Sequence, residues 1–392
     1  MFFEHASVLI WLLLPLAAGS GWLAGRYDHK RQDARKDLPS AYFKGLNFLL
    51  NEQADKAIEI FIKVLEVNSE TVETHLALGS LFRRRGEVER AIRVHQNIIA
   101  RPALDRNQRA RALLELGQDY LKAGLLDRAE NLFLELAEIR LHNQEALKLL
   151  MHIYQQERDW EKAISVCRRL GRAGGPGFAD VIAQYYCELA EEAYGRSDYD
   201  GAREEARRAL QSDRGCVRAS IVLGNVEAAL GRHKEAIRAW RRVESQNVVY
   251  LGEVAEPLAR SFQALGDEEG LYRFFEQALN RHPDVSLMLA LADVVERHKG
   301  VREAEAFVVT WLRRKPSVLG LNRLIGLHIA QASGPAREDL VILKGIIERI
   351  VGARRRYRCH ECGFAAQSLY WQCPGCHGWN TMMPSGEDHA AH

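Results

Sequence analysis

No familiar catalytic signature runs through these 392 residues. The chain has no G-x-x-x-x-G-K-[ST] phosphate loop, no H-E-x-x-H, no G-x-S-x-G and no dinucleotide fingerprint. No pair of carboxylates stands apart from the charged helix surfaces, so an enzyme reading has no residue to start from. Net charge is nearly absent as well: 54 Lys and Arg against 52 Asp and Glu leave +2, which excludes a global attraction to nucleic acid or to an anionic membrane. Cysteine is scarce, seven in all. Three of these, Cys167, Cys187 and Cys216, are scattered through helical stretches, as small buried apolar residues are. That usage suits a reducing compartment rather than a disulfide-stapled domain. Apolar content is ample: 47% hydrophobic residues exclude wholesale disorder and can fill two or three domains or one long repeat array.

Residues 6–25 (ASVLIWLLLPLAAGSGWLAG) carry no charged side chain, and their length matches the hydrocarbon core of a bilayer. The sequence therefore predicts an N-terminal transmembrane anchor over residues 1–25. Only Glu4 and His5 precede the run besides apolar residues, whereas Arg26, Lys30, Arg31, Arg35 and Lys36 come after it. This asymmetry places the N-terminus outside the cytoplasm and the bulk of the chain inside, as a single-pass protein. A cleaved signal peptide would need its basic residues on the other side. Trp22 sits at the level of an interfacial anchor, Pro15 is placed to kink the span, and Gly21-x-x-x-Gly25 offers a small-residue face to another helix. Residues 26–38 form a charged linker that spans at most ~40 Å, which keeps the next domain near the membrane.

From residue 39 to residue 352 a period of about 34 residues dominates. A small residue recurs twelve positions after another at Gly45 and Ala57, Gly79 and Ala91, Gly117 and Ala129, Ala190 and Ala202, and Gly224 and Ala236, with Met151 replacing the first at Ala163. An aromatic stands three after the first (Phe48, Phe82, Tyr120, Tyr154) and a glycine seven after it (Gly86, Gly124, Gly231, Gly266). Another large side chain stands four after the second, as at Phe61, Phe133 and Trp240. Ala259, Ala292 and Gly326 continue the series, and Pro283 and Pro316 fall where a helix must stop. The pattern resembles the tetratricopeptide repeat: small residues where the two helices of a unit cross, aromatics between units. Eight to nine units fit. The fold class expected is all-α, a tetratricopeptide-repeat superhelix with one N-terminal transmembrane helix and a small C-terminal metal module. The first helices of successive units would line a concave groove. Its polar candidates are Arg83, Arg84, Gln118, Lys122, His152, Gln155, Gln156, Asn225, Arg260 and Asp293, each of which could equally be a solvated surface residue.

The stretch 357–379, YRCHECGFAAQSLYWQCPGCHGW, holds two C-x-x-C pairs: Cys359 with Cys362 and Cys373 with Cys376. Two facing knuckles present four thiolates as a tetrahedron, which suits one Zn²⁺ or one Fe in a closed, structural site. Two disulfides or four unrelated cysteines are the plainer alternatives. Gly363, Gly375 and Gly378 stand where sharp turns call for tolerance of positive φ. A segment of this size, residues 353–383, needs such a staple, and its aromatics exceed what it can bury alone, so it is expected to pack against the repeats. The run Arg354–Arg358 could touch anionic lipid or nucleic acid, or simply complement a helix C-terminus. Residues 384–392 read as a disordered tail.

An N-terminal span, a tetratricopeptide-like array and a terminal CxxCG…CPGC module together resemble, over the whole chain, the lipopolysaccharide assembly protein B family of Gram-negative bacteria. The resemblance implies an inner-membrane adaptor, not an enzyme. Such an adaptor restrains lipopolysaccharide synthesis by helping the membrane protease FtsH degrade the deacetylase LpxC. It also implies contact with other inner-membrane lipopolysaccharide assembly proteins, no nucleic acid, and leaves room for a homo-oligomer. The family's rubredoxin-like motif falls on Cys359, Cys362, Cys373 and Cys376. His377 intervenes before Gly378 in the second knuckle, a departure that weighs against electron transfer. A rubredoxin-like redox protein and a zinc ribbon that binds nucleic acid are the other two readings.

Overall fold

The computed structural model describes residues 44, 45, 47, 48, 56, 72–102, 104–139, 142–172, 177–352 and 356–384. The expected anchor at residues 1–25, the charged linker, most of the first repeat and the tail from residue 385 lie outside the described residues. Among the described residues no helix is long and apolar enough to cross a membrane.

Among the described residues sixteen α-helices succeed one another in consecutive pairs. They are α1 (Val72–Arg84), α2 (Val88–Ile99), α3 (Arg106–Lys122), α4 (Leu126–Glu138), α5 (Asn143–Glu157), α6 (Trp160–Arg172), α7 (Ala179–Gly195) and α8 (Tyr199–Ser212). Then come α9 (Val217–Ala229), α10 (His233–Gln246), a 3₁₀ helix (Val248–Val254), α11 (Ala255–Ala264), α12 (Glu268–Arg281), α13 (Val285–Lys299), α14 (Val301–Arg314), α15 (Val318–Gln331) and α16 (Pro335–Gly352). The chain divides into two compact units, residues 1–119 and 120–392.

The periodic residues find their physical reasons. A Cβ added at Gly79 would run into the ring of His95, and one at Gly224 into the ring of Trp240. Both large residues stand four after the second small residue of their unit, so the glycine is the hole that the second helix's side chain fills. Phe82 and Tyr154 are buried, and the Tyr154 hydroxyl donates to Glu130 Oε1 at 2.7 Å. The turns close through left-handed residues: Gly86, Gly124, Gly231 and Gly266 take φ of 83°, 74°, 71° and 68°. In two units that lack the glycine the same position still adopts this conformation, as Arg158 (φ 57°) and Ser197 (φ 63°). Aspartates open several second helices, as where Asp198 and Asp267 accept from the backbone N–H of Gly201 (3.0 Å) and Gly270 (2.9 Å).

In the first unit, Val72, Leu76, Phe82, Ala91 and Ile98 make an apolar core. A polar network lies beside it. Arg83 donates to Asp119 Oδ1 (2.7 Å) and Glu115 Oε2 (2.6 Å), Ser80 donates to Glu115 (2.7 Å), and His95 Nδ1 lies 2.5 Å from Asp119 Oδ2. His95 and Asp119 are fully buried, and every charge has a partner.

In the second unit the helix pairs lead into a three-stranded antiparallel sheet in the order β2-β1-β3, with β1 Tyr357–Cys359, β2 Ala365–Ala366 and β3 Met382–Pro384. Tyr357 pairs with Pro384, which closes the sheet.

Candidate metal centre

β1 delivers Cys359 at its end, and the chain then turns: Gly363 N–H donates to Cys359 O at 3.0 Å and Cys359 N–H to Phe364 O at 2.7 Å. The second knuckle repeats the design, with His377 N–H on Cys373 O (2.8 Å) and Cys373 N–H on Gly378 O (2.9 Å). The four sulfurs meet, all lying within 4.8 Å of one another. Cys359 and Cys376 Sγ are 3.7 Å apart, and Cys362 and Cys373 Sγ 3.6 Å. A tetrahedron with metal–sulfur bonds of ~2.3 Å has edges of ~3.8 Å, so the set fits one Zn²⁺ or Fe ion. The same separations are too long for the two-disulfide alternative.

The glycines need a correction. Gly363 has positive φ (75°), but in the second knuckle that conformation falls on His377 (58°), not on Gly375 or Gly378. Those two are small for another reason. A Cβ at Gly375 would lie 3.2 Å from Cys362 Sγ and 3.3 Å from Phe364, and one at Gly378 2.8 Å from Thr381. Gly375 lets one knuckle close against the other, and Gly378 makes room for the chain leading into β3. His377 is therefore the turn residue itself rather than an interruption of the motif.

The sulfurs are electrostatically unequal. Desolvation pushes the Cys359 thiol up, but hydrogen bonds from the Thr381 hydroxyl and the backbone N–H groups of Cys362 and Glu361 outweigh it and hold it at about 6. At Cys362 the Phe364 backbone N–H favours the thiolate, yet desolvation and the neighbouring sulfurs push it up to about 12. Four thiolates this close repel one another, and a bound cation is what lets all of them ionise together.

The module is seated on α6, α7, α9 and the 3₁₀ helix. Tyr250 of the 3₁₀ helix donates to Met382 O (2.7 Å) and its ring lies 5.4 Å from that of Trp371. Tyr357 donates to Glu253 Oε1 (2.7 Å). Trp379 meets Tyr185 of α7 and Trp160 of α6 edge-on, at 5.8 and 6.3 Å. At the centre is Arg218 of α9, only 3% exposed. Its guanidinium donates to Glu191 (2.9 and 2.7 Å) and Glu188 (2.8 Å) of α7, and lies 6.0 Å from the ring centres of both Trp371 and Trp379. Burial would lower its pKa, but Glu191 and Glu188 raise it, so it stays charged. The surplus aromatics of the module do pack on the array, as their number suggests.

The groove candidates divide. His152, Gln155 and Gln156 of α5 line a cleft of about 520 Å³ together with Tyr370, Trp371, Gln372 and His377 of the module. Arg260 and Asp293 share another of about 620 Å³ with Arg323 and Glu296. Gln155 is engaged with the Tyr185 hydroxyl (2.5 Å), and Asp293 with Arg323 (2.7 Å). Arg83 is tied into the core network of the first unit, which also contains Arg84 and Gln118. Lys122 is exposed at the end of α3, and Asn225 is half-buried on α9. Glu188, Glu191, Arg218 and Tyr370 were not among the candidates. The first three look like any charged helix residue until the module is folded onto them.

The fold and site together define a repeat scaffold that carries a rubredoxin-type metal-binding module. A family profile described as "Rubredoxin metal binding domain" matches residues 357–384, and tetratricopeptide-repeat profiles match residues 74–110, 146–177 and 187–244. The chain is 38% identical over 379 residues to lipopolysaccharide assembly protein B of Escherichia coli (strain K12), covering 96% of this chain and 97% of that one. It is 33% identical over 394 residues to the protein of that name in Haemophilus influenzae, covering 97% and 99%. It belongs to the lipopolysaccharide assembly protein B family. One chain of the solved complex of Naa15/Naa10 bound to HypK-THB is similar at 12% identity and a TM-score of 0.44, covering 80% of this chain and 47% of its own.

Proposed function

We propose that this protein is an inner-membrane adaptor in the control of lipopolysaccharide assembly. In this reading residues 1–25 anchor it with the N-terminus outside the cytoplasm, and the array works on the cytoplasmic side. The chain performs no reaction of its own. It brings the membrane protease FtsH to the deacetylase LpxC and so limits lipid A synthesis. The observation that carries the scaffold reading is the seat of the module on the repeats. Tyr370, Gln372 and His377 extend the polar row of His152, Gln155 and Gln156 into a cleft walled from both sides. Dispersed polar groups around an exposed aromatic suit a protein segment better than a small metabolite. Zn²⁺ or Fe at Cys359, Cys362, Cys373 and Cys376 holds one wall of that cleft in place, which is a structural task.

The test is affinity capture of the full chain from membranes, with LpxC turnover measured in the same cells. Wild type should retain FtsH and LpxC, and the double variant His152→Glu/Tyr370→Ala should lose partner capture while keeping its metal. Unchanged capture and turnover in that variant would remove the cleft from the proposal. Absence of both proteins from wild-type captures would remove the adaptor reading itself.

A further inference from the structure

The last helix of a repeat stack normally shows a polar outer face, because no further unit covers it. On α16 only Ile347 is buried, while Ile342 is 63%, Leu343 45%, Ile346 46% and Ile350 51% exposed. Ile342, Ile346 and Ile350 are four residues apart and so lie along one side of the helix. Gly345 adds an independent sign. A glycine in a helix interior costs about 1 kcal/mol against alanine, yet a Cβ there would meet nothing within 4 Å among the described residues. Among the described residues its smallness serves no contact.

The charges beside the stripe select the occupant. Asp339 stands three residues before Ile342 and Arg349 three after Ile346, both exposed and without an ion pair among the described residues. Asp339, Ile342, Ile346 and Arg349 are thus placed symmetrically about position 344, the inner two alike and the outer two opposite in charge, while Ile350 falls opposite Glu338 at the edge. Turned through a two-fold axis at that level, the helix sets Ile342 against Ile346 and Asp339 against Arg349, twice over, with Gly345 leaving room for Leu343. Self-complementarity of this kind is what an isologous contact requires. We propose that α16 is a homodimer seam, pairing antiparallel with α16 of a second copy.

Light scattering on the full chain in detergent micelles tests it. Wild type should run as a dimer, and Ile342→Glu/Ile346→Glu as a monomer with unchanged helicity and metal content, since both side chains are exposed. Asp339→Arg should raise the dissociation constant about tenfold, and Asp339→Arg/Arg349→Asp should restore it. A monomeric wild type would overturn the proposal. So would a dimer indifferent to every α16 variant, which would locate self-association in the anchor or on another face. Protection of α16 from hydrogen exchange in phosphatidylglycerol bilayers by a chain that stays monomeric would assign the stripe to lipid and overturn it equally.

Discussion

Arg83 and Arg218 are two versions of one device. Each reaches from the first helix of one repeat to two acidic residues on the first helix of a neighbouring repeat: Glu115 and Asp119 for Arg83, Glu188 and Glu191 for Arg218. Arg83 stops there, with His95 sharing the load on Asp119. The Arg218 guanidinium also lies over the rings of Trp371 and Trp379, 6.0 Å from each centre. A guanidinium bonds in its plane and stacks on its faces at the same time, which no lysine could do. One salt bridge therefore only ties repeats together, whereas the other also fastens the metal module to them.

Removing the metal should separate the two most sharply. Cys359→Ser or Cys373→Ser forfeits a binding energy on the order of 10 kcal/mol that is coupled to folding. The module should unfold, metal content fall to background, and Trp160 and Tyr185 become exposed, while circular dichroism still reports the helices. The Arg83 network should be untouched, as hydrogen exchange in α1 would show. Persistence of a folded module in the metal-free variant would mean that its aromatic seat alone suffices.

Arg218→Met is expected to come next. It leaves Glu188 and Glu191 without this counter-charge and takes the cation from over two indoles, a loss of about 3 kcal/mol once the 44% exposure of the Glu191 side chain is allowed for. The sign to look for is a loosened module that still holds metal, read from the near-ultraviolet signal of its tryptophans. Arg218→Lys should recover less than half of the loss.

Arg83→Met should cost less, about 1–2 kcal/mol, because His95 remains on Asp119. Its signature is in acid. Burial pushes Glu115 up, but the hydrogen bonds from Arg83 and Ser80 outweigh it and hold the carboxyl below its usual range. A depressed folded pKa adds stability that is complete above the unfolded value of about 4.3 and disappears as pH falls through the folded one. Wild type should therefore lose stability in the first unit below about pH 4, and Arg83→Met should show a shallower loss. Identical acid profiles would show that Glu115 gains nothing from the arginine. The smallest effect is a gain: Ser197→Gly relieves a left-handed residue (φ 63°) and should add up to about 1 kcal/mol to thermal stability.

The repeat register and the four ligands were legible because each rests on residue types that only one geometry favours. Glycine at 86, 124, 231 and 266 announces its own backbone, and paired C-x-x-C spacing announces thiolates on one side of a turn. Arg158 and Ser197 take the same conformation silently, forced by the helices on either side, so nothing in their chemistry discloses it. Gly375 was legible as small but not why, since the atoms it makes room for belong to the other knuckle. Arg218 is the extreme case. In the run Cys216-Val-Arg-Ala-Ser220 it reads as a surface arginine, and its indole partners come from the far end of the chain.

That distance along the chain sets an order of events. Trp160, Tyr185 and Tyr250 leave the ribosome well before residues 357–384, yet their rings are covered by that later stretch. Until it arrives and loads its ion, the middle of the array shows an aromatic surface of the kind that chaperones and proteases recognise. A chain cut short by a stop codon, or finished in a metal-starved cell, keeps that surface open. The contact that covers these rings thus also reports that residues 357–384 have been made and folded.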